Sequence, residues 1–160
     1  MPTPGASSRT RRSVAHRTDA RPVPRHSGSD LFQMHANATT SPSSILITGC
    51  SSGIGHHCAH ELARRGWQVI ASARRPEDVA RLEAEGLSAV RLDLDDPASI
   101  GAALERTLEL TGGRLDALFN NGAYGQPGAV EDLSRDALRA QLETNLLGWH
   151  DLTCRVIPLM

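Results

Sequence analysis

Three glycines mark the segment of this 160-residue chain whose chemistry is easiest to infer. They are Gly49, Gly53 and Gly55, with Ser51 and Ser52 between them. Residues without a Cβ let a backbone turn sharply and approach a phosphate closely, and the serine hydroxyls add hydrogen-bond donors. If a helix begins here, its free N–H groups and its positive end also face the anion. The spacing predicts a turn that binds the pyrophosphate of a dinucleotide; a tight turn without a ligand is the alternative.

The segments on either side of this turn are those that such a site requires. Residues 44–48 form an apolar run typical of a strand buried on both faces, and residues 54–65 follow with helical spacing up to Gly66. Further strands are predicted at 67–71, 87–92 and 115–119, and further helices at 76–85, from 97 to Gly112, and from about 136 onward. This alternation predicts an α/β fold, a Rossmann-type parallel sheet with helices on both faces.

The residues that follow the second predicted strand bear on which dinucleotide binds. Rossmann-type sites place an acid there to bond the ribose 2′-hydroxyl of NAD, or an arginine to accommodate the 2′-phosphate of NADP. Arg74 and Arg75 occupy this place, and guanidinium groups bind phosphate through forked, charge-assisted hydrogen bonds. We expect NADP(H) to be preferred over NAD(H), with Arg74 as the main contact. Alternatively, both arginines only solvate the start of the next helix.

One amide lies on the apolar face of the last predicted helix. Asn145 lies between Leu142 and Leu146, on a stripe spaced by three and four residues that comprises Leu138, Leu142, Leu146, Trp149, Leu152 and Val156. An amide in such a place is costly unless it is hydrogen-bonded. Asn145 is therefore either a structural tie between the helix and a loop or a functional group.

Two other groups of residues could do chemistry, and for both we favour a simpler role. His56 and His60 are four residues apart and could share a metal on one helical face, but the spacing suggests no third ligand, and a catalytic zinc ion needs three. We therefore expect no metal site. Cys50 lies in the glycine turn, where a helix N-terminus would lower the pKa of its thiol. We expect it to be a small residue that fills the turn.

The spacing Thr48-Gly49-x-x-x-Gly53-x-Gly55 resembles the signature of the short-chain dehydrogenase/reductase family. The resemblance covers residues 44–160 and is closest to bacterial members that look like hydroxysteroid and retinol dehydrogenases. It implies that Asp93 and Leu94 contact the adenine and that Asn145 helps to hold a water in the catalytic proton relay. The cofactor-binding residues expected in all are Thr48, Gly49, Ser51, Ser52, Gly53, Ile54, Gly55, Arg74, Asp93, Leu94, Asn120 and Gly122.

The stretch Asn120-Asn121-Gly122-Ala123 departs from the family pattern, which is Asn-Asn-Ala-Gly. The family keeps small residues here so that the backbone can run close to the cofactor ribose. The exchange of glycine and alanine leaves open which residue has a positive φ.

The resemblance implies an enzyme that interconverts an alcohol and a carbonyl by hydride transfer with NADP(H), acting on a small-molecule substrate as a homo-oligomer. The family moves the proton with a serine and a Tyr-x-x-x-Lys pair. The 160 residues include no lysine, and their one tyrosine, Tyr124, has Gly128 four positions later. We expect the chain to be the N-terminal, cofactor-binding part of such an enzyme, with its sheet incomplete after the fourth strand and the following helix. We expect negligible turnover by this part alone.

Composition separates a leader from this body. Residues 1–43 hold six arginines, two acids and five prolines, and they are predicted to be a disordered leader before the domain at 44–160. A transit peptide and nucleic-acid contacts are weaker alternatives than such a leader or than a true start at Met34, which would leave only a short leader before residue 44. Three widely spaced cysteines and the lack of a membrane-length apolar run favour the cytoplasm. The alternative function is a non-catalytic nucleotide-binding or interaction module that pairs through its sheet edge.

Overall fold

The computed structural model describes residues 42–160, so the predictions for residues 1–41 lie outside the described part of the chain. The first seven elements are β1 (Ser44–Ile47), α1 (Gly53–Arg64), β2 (Gln68–Ala73), α2 (Pro76–Ala84), β3 (Ser88–Arg91), α3 (Pro97–Thr111) and β4 (Ala117–Phe119). A 3₁₀ turn (Val130–Asp132), α4 (Arg135–Leu142), a π-helical turn (Glu143–Gly148), α5 (Trp149–Val156) and a second 3₁₀ turn (Ile157–Leu159) follow.

The four strands form one parallel sheet in the order β3-β2-β1-β4. The chain therefore moves outward from β1 to β3 and then returns to place β4 on the other side of β1. Connections that leave neighbouring strands in opposite directions open a crevice at the carboxyl ends of those strands. The topology thus puts the candidate site beside the ends of β1 and β4.

Alternate residues of the strands enter two separate hydrophobic cores, one on each face of the sheet. Leu46 and Ile70 pack with buried residues of α3 and α5. Ile45, Ile47 and Val69 pack with buried residues of α1 and α2. The expected Rossmann-type sheet with helices on both faces is confirmed, and β1 is buried along its whole length.

Local signals gave most helix boundaries within one residue. The Asp96 carboxylate accepts the N–H of Ala98 at 2.9 Å, Pro97 occupies the first turn, and Gly112 ends α3 with a φ of +68°. Strand β2 runs two residues further than predicted, to Ala73. Arg74 therefore follows the strand directly.

The predicted apolar stripe on the last helix is wrong for its first half. Leu152 and Val156 are buried, but Leu138, Leu142 and Leu146 are 47%, 52% and 56% exposed. The π-helical turn between the two groups has i→i+5 hydrogen bonding, which rotates the residues before it relative to those after it. Residues spaced for one face of a regular helix are therefore divided between two faces. Within residues 42–160, no helix has the length and apolar character needed to cross a membrane.

Candidate functional site

A cleft of about 500 Å³ lies at the carboxyl edge of the sheet, between the turn after β1 and the segments that follow the other three strands. Seven of the twelve expected cofactor-binding residues line it: Thr48, Gly49, Ser51, Arg74, Asp93, Leu94 and Gly122. The other five, Ser52, Gly53, Ile54, Gly55 and Asn120, do not line it, and neither does Asn145. Arg75, considered from the sequence beside Arg74, also lines it. Sequence reasoning missed the lining residues Ser72, Asp78, Asp95, Tyr124 and Thr144, among others.

The glycine turn is packed against the loop after β4. Gly49 has a φ of +70°, and a Cβ on it would lie 2.5 Å from the Cα of Gly122. A Cβ on Gly55 would lie 2.5 Å from the side-chain nitrogen of Asn121. Gly53 also has a positive φ, +61°, but open space surrounds it. Glycine is therefore required at position 49 both for its backbone conformation and for lack of space. At position 55 it is required for lack of space, and at position 53 for its backbone conformation.

The hydroxyl of Thr48 joins these two segments. It accepts the backbone N–H groups of Asn121 at 2.8 Å and Gly122 at 2.7 Å. In return, the Asn121 amide donates to the carbonyls of Thr48 and Gly49 at 3.0 and 3.1 Å. Thr48 is buried. Its side chain therefore holds the β4 loop against the glycine turn. Thr48 also lines the cleft, so the ligand contact expected of it stays a prediction.

The exchanged glycine in the stretch after β4 is explained by close approach. Among the described residues only glycines have a positive φ, and Gly122 is not one of them. A Cβ on Gly122 would lie 3.1 Å from the Gly49 nitrogen and 3.2 Å from the Thr48 hydroxyl. The exchange therefore puts the residue without a Cβ where the two loops touch, and no residue of this stretch needs the left-handed conformation.

Asn120 faces α5 instead of the cleft. Its amide nitrogen donates to the Thr153 hydroxyl at 3.0 Å. Beside it, the Trp149 indole N–H donates to the carbonyl of Gly122 at 2.7 Å. The amide nitrogen thus ties the end of β4 to the last helix, whereas the buried Asn120 Oδ1 has no hydrogen-bond partner among residues 42–160. The expected cofactor contact of Asn120 stays a prediction.

Asn145 lies in the π-helical turn and is bonded to one residue by both ends of its amide. Its Oδ1 accepts the N–H of Tyr124 at 3.2 Å, and its Nδ2 donates to the Tyr124 carbonyl at 2.7 Å. The neighbouring Thr144 hydroxyl donates to the Asp95 carboxylate. The helix-to-loop tie considered from the sequence is therefore present, although Asn145 is half-buried and not part of a buried stripe. π-Helical turns are frequent at functional sites.

Two features of the cleft suit an anionic, hydroxyl-rich ligand. Helix α1 begins two residues after the lining residue Ser51, without a side-chain cap and without an acidic residue in its first turn, so no side chain occupies its leading N–H groups. The hydroxyl of Ser72, at the end of β2, is buried and has no hydrogen-bond partner among residues 42–160. Buried polar atoms in native proteins are almost always bonded, and a ligand in this cleft would supply the missing partner.

Charged side chains form the rim beside β2. Arg75 lies 3.8 Å from Glu77 and 3.7 Å from Asp78. Asp78 is paired more closely with Arg81, at 2.9 Å. Asp78, one of three acids that line the cleft together with Asp93 and Asp95, is therefore already compensated by arginines. The sequence indicates Asp78 only as an acid near the start of a predicted helix. It does not indicate that Asp78 approaches the cleft, because that depends on how α2 packs.

Cys50 is a buried residue of the turn. Its thiol is bonded to the Ile47 carbonyl at 3.2 Å, and burial raises its pKa to about 11. The alternative of an activated thiol is wrong, because loss of solvation raises the pKa by more than the backbone hydrogen bond at Ser72 lowers it.

We predict that Cys50 resists alkylation in the folded protein. With a pKa of about 11, only about one thiol in a thousand is ionised at pH 8. Iodoacetamide at pH 8 should modify the exposed Cys154 at least a hundredfold faster than Cys50, as measured by peptide mass spectrometry. In urea the two rates should converge. Equal labelling of both thiols in the native protein would contradict this assignment.

Comparison with known proteins decides the family. The family model described as short chain dehydrogenase matches residues 43–160. The chain belongs to the short-chain dehydrogenase family. Within this family, it is 43% identical over 117 residues to an uncharacterized oxidoreductase, YbbO, of Escherichia coli (strain K12). That match covers 73% of the chain and 44% of the relative, so the chain spans less than half the length of that protein.

Two solved structures share the fold and carry a nicotinamide dinucleotide. One is a 3-ketoacyl-(acyl-carrier-protein) reductase from Brucella melitensis complexed with NADH, with a TM-score of 0.68 and 29% identity over 72% of this chain and 49% of that one. The other is a variant of actinorhodin polyketide ketoreductase with NADPH, with a TM-score of 0.67 and 29% identity over 77% of this chain and 49% of that one. They support a nicotinamide cofactor.

Proposed function

We propose that the cleft binds NADP(H) and that the chain provides the dinucleotide half of an oxidoreductase that interconverts an alcohol and a carbonyl. The observation that carries the proposal is the cleft itself. It lies where the strand order reverses, has the glycine turn and an uncapped helix start on one side, and has Arg74 at the end of β2. Parallel α/β sheets bind dinucleotides at this place.

Each part of the dinucleotide has a partner of matching chemistry. The pyrophosphate is held by the leading N–H groups of α1 together with Ser51. The adenine lies against Asp93 and Leu94, and the Ser72 hydroxyl takes the hydrogen bond that it lacks among the described residues. Arg74 binds the 2′-phosphate, because no carboxylate of residues 42–160 is paired with it, unlike Arg75.

The bound dinucleotide supplies or accepts the hydride, and the chain's own residues position the reacting groups. Thr48, Asn121 and Gly122 fix the loop after β4. Asn145 keeps one amide hydrogen and one oxygen lone pair free after bonding Tyr124, which is enough to hold a water in a proton relay. The 160 residues contain no lysine, so they do not supply the Tyr-x-x-x-Lys pair that completes such a relay in this family.

A homo-oligomer remains our expectation for the whole enzyme. The side chains of Leu138, Leu142, Leu146 and Leu147 are about half exposed and lie close together along α4 and the π-helical turn. Neighbouring exposed apolar residues are typical of surfaces that contact another protein. They support assembly without identifying the partner.

The proposal predicts a specific loss of NADPH binding when Arg74 is removed. Arg74→Ala should raise the Kd for NADPH about tenfold to a hundredfold, since a hydrogen bond to a charged group contributes about 1.5–3 kcal/mol. The Kd for NADH should stay within about threefold, because NADH has no 2′-phosphate. Both constants can be measured by fluorescence titration of the reduced dinucleotides.

The matched control is Arg106→Ala. Arg106 is an exposed arginine of α3 that is paired with Glu109 and does not line the cleft, so both Kd values should stay unchanged. Tighter binding of NADH than of NADPH by the unmodified chain would contradict the cofactor assignment. If Arg74→Ala raised the Kd for NADPH and the Kd for NADH by the same factor, the proposed role of Arg74 would be contradicted.

A further inference from the structure

Three side chains with metal-binding chemistry meet outside the cleft, where α1 passes the end of α2. His56 and His60 lie on one face of α1, one helical turn apart. Glu85 is the residue that directly follows α2. The Nε2 atoms of the two histidines lie 2.7 and 2.9 Å from the same oxygen of Glu85, Oε2. The third ligand that the spacing of the histidines did not suggest is thus provided by another helix.

The arrangement is close to the geometry of a bound metal ion. The three ligand atoms all lie within 4.8 Å of one another. A tetrahedral zinc ion with bonds of about 2.0–2.1 Å places its ligand atoms roughly 3.3 Å apart. The two N–O distances therefore need to open by only about half an ångström. The three side chains are 35%, 36% and 30% exposed, which leaves them free to rotate and leaves room for a water as the fourth ligand.

We propose that His56, His60 and Glu85 form a three-ligand site for a divalent transition-metal ion, with Zn²⁺ as the ion that fits best. Two imidazoles and one carboxylate suit Zn²⁺ and its neighbours in the first transition series, whereas Mg²⁺ and Ca²⁺ require oxygen ligands. Two histidines separated by four residues on one helix are a recurrent zinc-binding arrangement. The ion fastens α1 to the end of α2.

The surroundings of Glu85 are consistent with this role. Its Oε2 atom faces both histidine Nε2 atoms. Arg81 approaches the other carboxylate oxygen, Oε1, at 3.7 Å, which leaves Oε2 to the ion. To bind, each histidine must hold its proton on Nδ1 and direct a free Nε2 at the ion.

The site is separate from the dinucleotide cleft, because none of its three residues lines that cleft. Its test is therefore independent of the proposed oxidoreductase function. A ligand that binds the folded chain but not the unfolded one stabilises the fold, so Zn²⁺ should raise the Tm of the chain. The Tm therefore provides a second measurement of zinc binding, in addition to the Kd from direct titration.

The experiment is an isothermal titration of the metal-free chain with Zn²⁺, repeated on three variants. His60→Ala and Glu85→Gln should each raise the Kd for one Zn²⁺ at least tenfold and remove the zinc-dependent rise in Tm. Glu85→Gln keeps the size of the side chain and a hydrogen-bonding oxygen, so it separates metal binding from local packing. The matched control is His57→Ala, which removes an exposed neighbouring histidine outside the cluster and should leave the Kd unchanged.

A second readout identifies the ligands. Co²⁺ in place of Zn²⁺ should give the visible absorption of a tetrahedral ion with imidazole ligands, and His60→Ala should lose it. The same Kd in the unmodified chain, His60→Ala and Glu85→Gln would overturn the proposal, because the ion would then lie elsewhere. Absence of zinc binding at 100 µM, roughly the weakest affinity useful for such a site, or loss of binding in His57→Ala, would overturn it as well.

Discussion

Gly49→Ala should destabilise the folded chain by about 2–5 kcal/mol and abolish dinucleotide binding. Two costs add at this position. The φ of +70° disfavours any residue with a Cβ by about 1–2 kcal/mol. The added Cβ would also lie 2.5 Å from the Cα of Gly122, and forced overpacking costs about 1–3 kcal/mol. The two atoms nearest to this Cβ, the Cα and the nitrogen of Gly122, belong to the backbone, so rotation of a side chain cannot relieve the contact.

The conformational cost can be separated from the steric one by a matched variant. Gly112 has nearly the same φ, +68°, but nothing lies within 4 Å of a Cβ placed on it, and it ends α3 away from the cleft. Gly112→Ala should therefore cost only about 1–2 kcal/mol and leave NADPH binding intact. Urea unfolding followed by circular dichroism measures both variants. If the two free energies of unfolding differ by less than about 1 kcal/mol, the packing of Gly49 against Gly122 is not what requires glycine.

The fold was predictable because its signals are local. Short apolar runs marked the strands, and Pro76, Pro97 and Gly112 marked helix ends whose positions the structure confirms. The alternation of strands and helices then left a parallel sheet covered on both faces as the expected architecture. Each of these inferences needs only residues within about one turn or one strand of one another.

In the candidate site, only the residues at strand ends or in the glycine turn could be predicted from the sequence. Arg74 follows β2 and Gly49 follows β1, so the sheet brings both to one edge. Thr48 and Asn120 have residue types that suit a ligand, but the Thr48 hydroxyl and the Asn120 amide nitrogen are bonded to partners up to 74 residues away. Which polar atom bonds a ligand and which bonds the protein depends on such long-range contacts, and spacing along the sequence does not encode them.

The last helix shows the same limit. Regular 3.6-residue spacing predicted one buried stripe, but the π-helical turn divides it, and only α5 contributes buried side chains to the core. One residue of the sequence, Gly148, did indicate an irregular helix here, because glycine disfavours a helix interior. Why glycine is needed depends on the neighbouring backbone after β3, which the sequence does not reveal.

Gly148→Ala should cost about 3 kcal/mol or more of stability, even though alanine is the better helix former. Gly148 has helical angles, φ −62° and ψ −42°, so its conformation alone would favour the substitution. An added Cβ would lie 2.8 Å from the Leu94 Cβ and 2.9 Å from its carbonyl carbon. The helix would have to move away from the segment after β3, and that movement would disturb the Thr144–Asp95 and Asn145–Tyr124 bonds beside the cleft.

Gly101→Ala provides the comparison, because Gly101 is also a helical glycine. A Cβ there would meet only the tip of the flexible Arg155 side chain, at 3.2 Å, which can move aside. This variant should therefore gain up to about 1 kcal/mol from helix propensity. The same substitution, glycine to alanine, should thus lower the free energy of unfolding at position 148 and raise it at position 101, as measured by urea unfolding. A stabilising or neutral Gly148→Ala would mean that α5 and the segment after β3 do not approach as closely in solution. The bond of Asn145 to Tyr124 would then lose its structural basis, since the same approach brings the π-helical turn to the cleft.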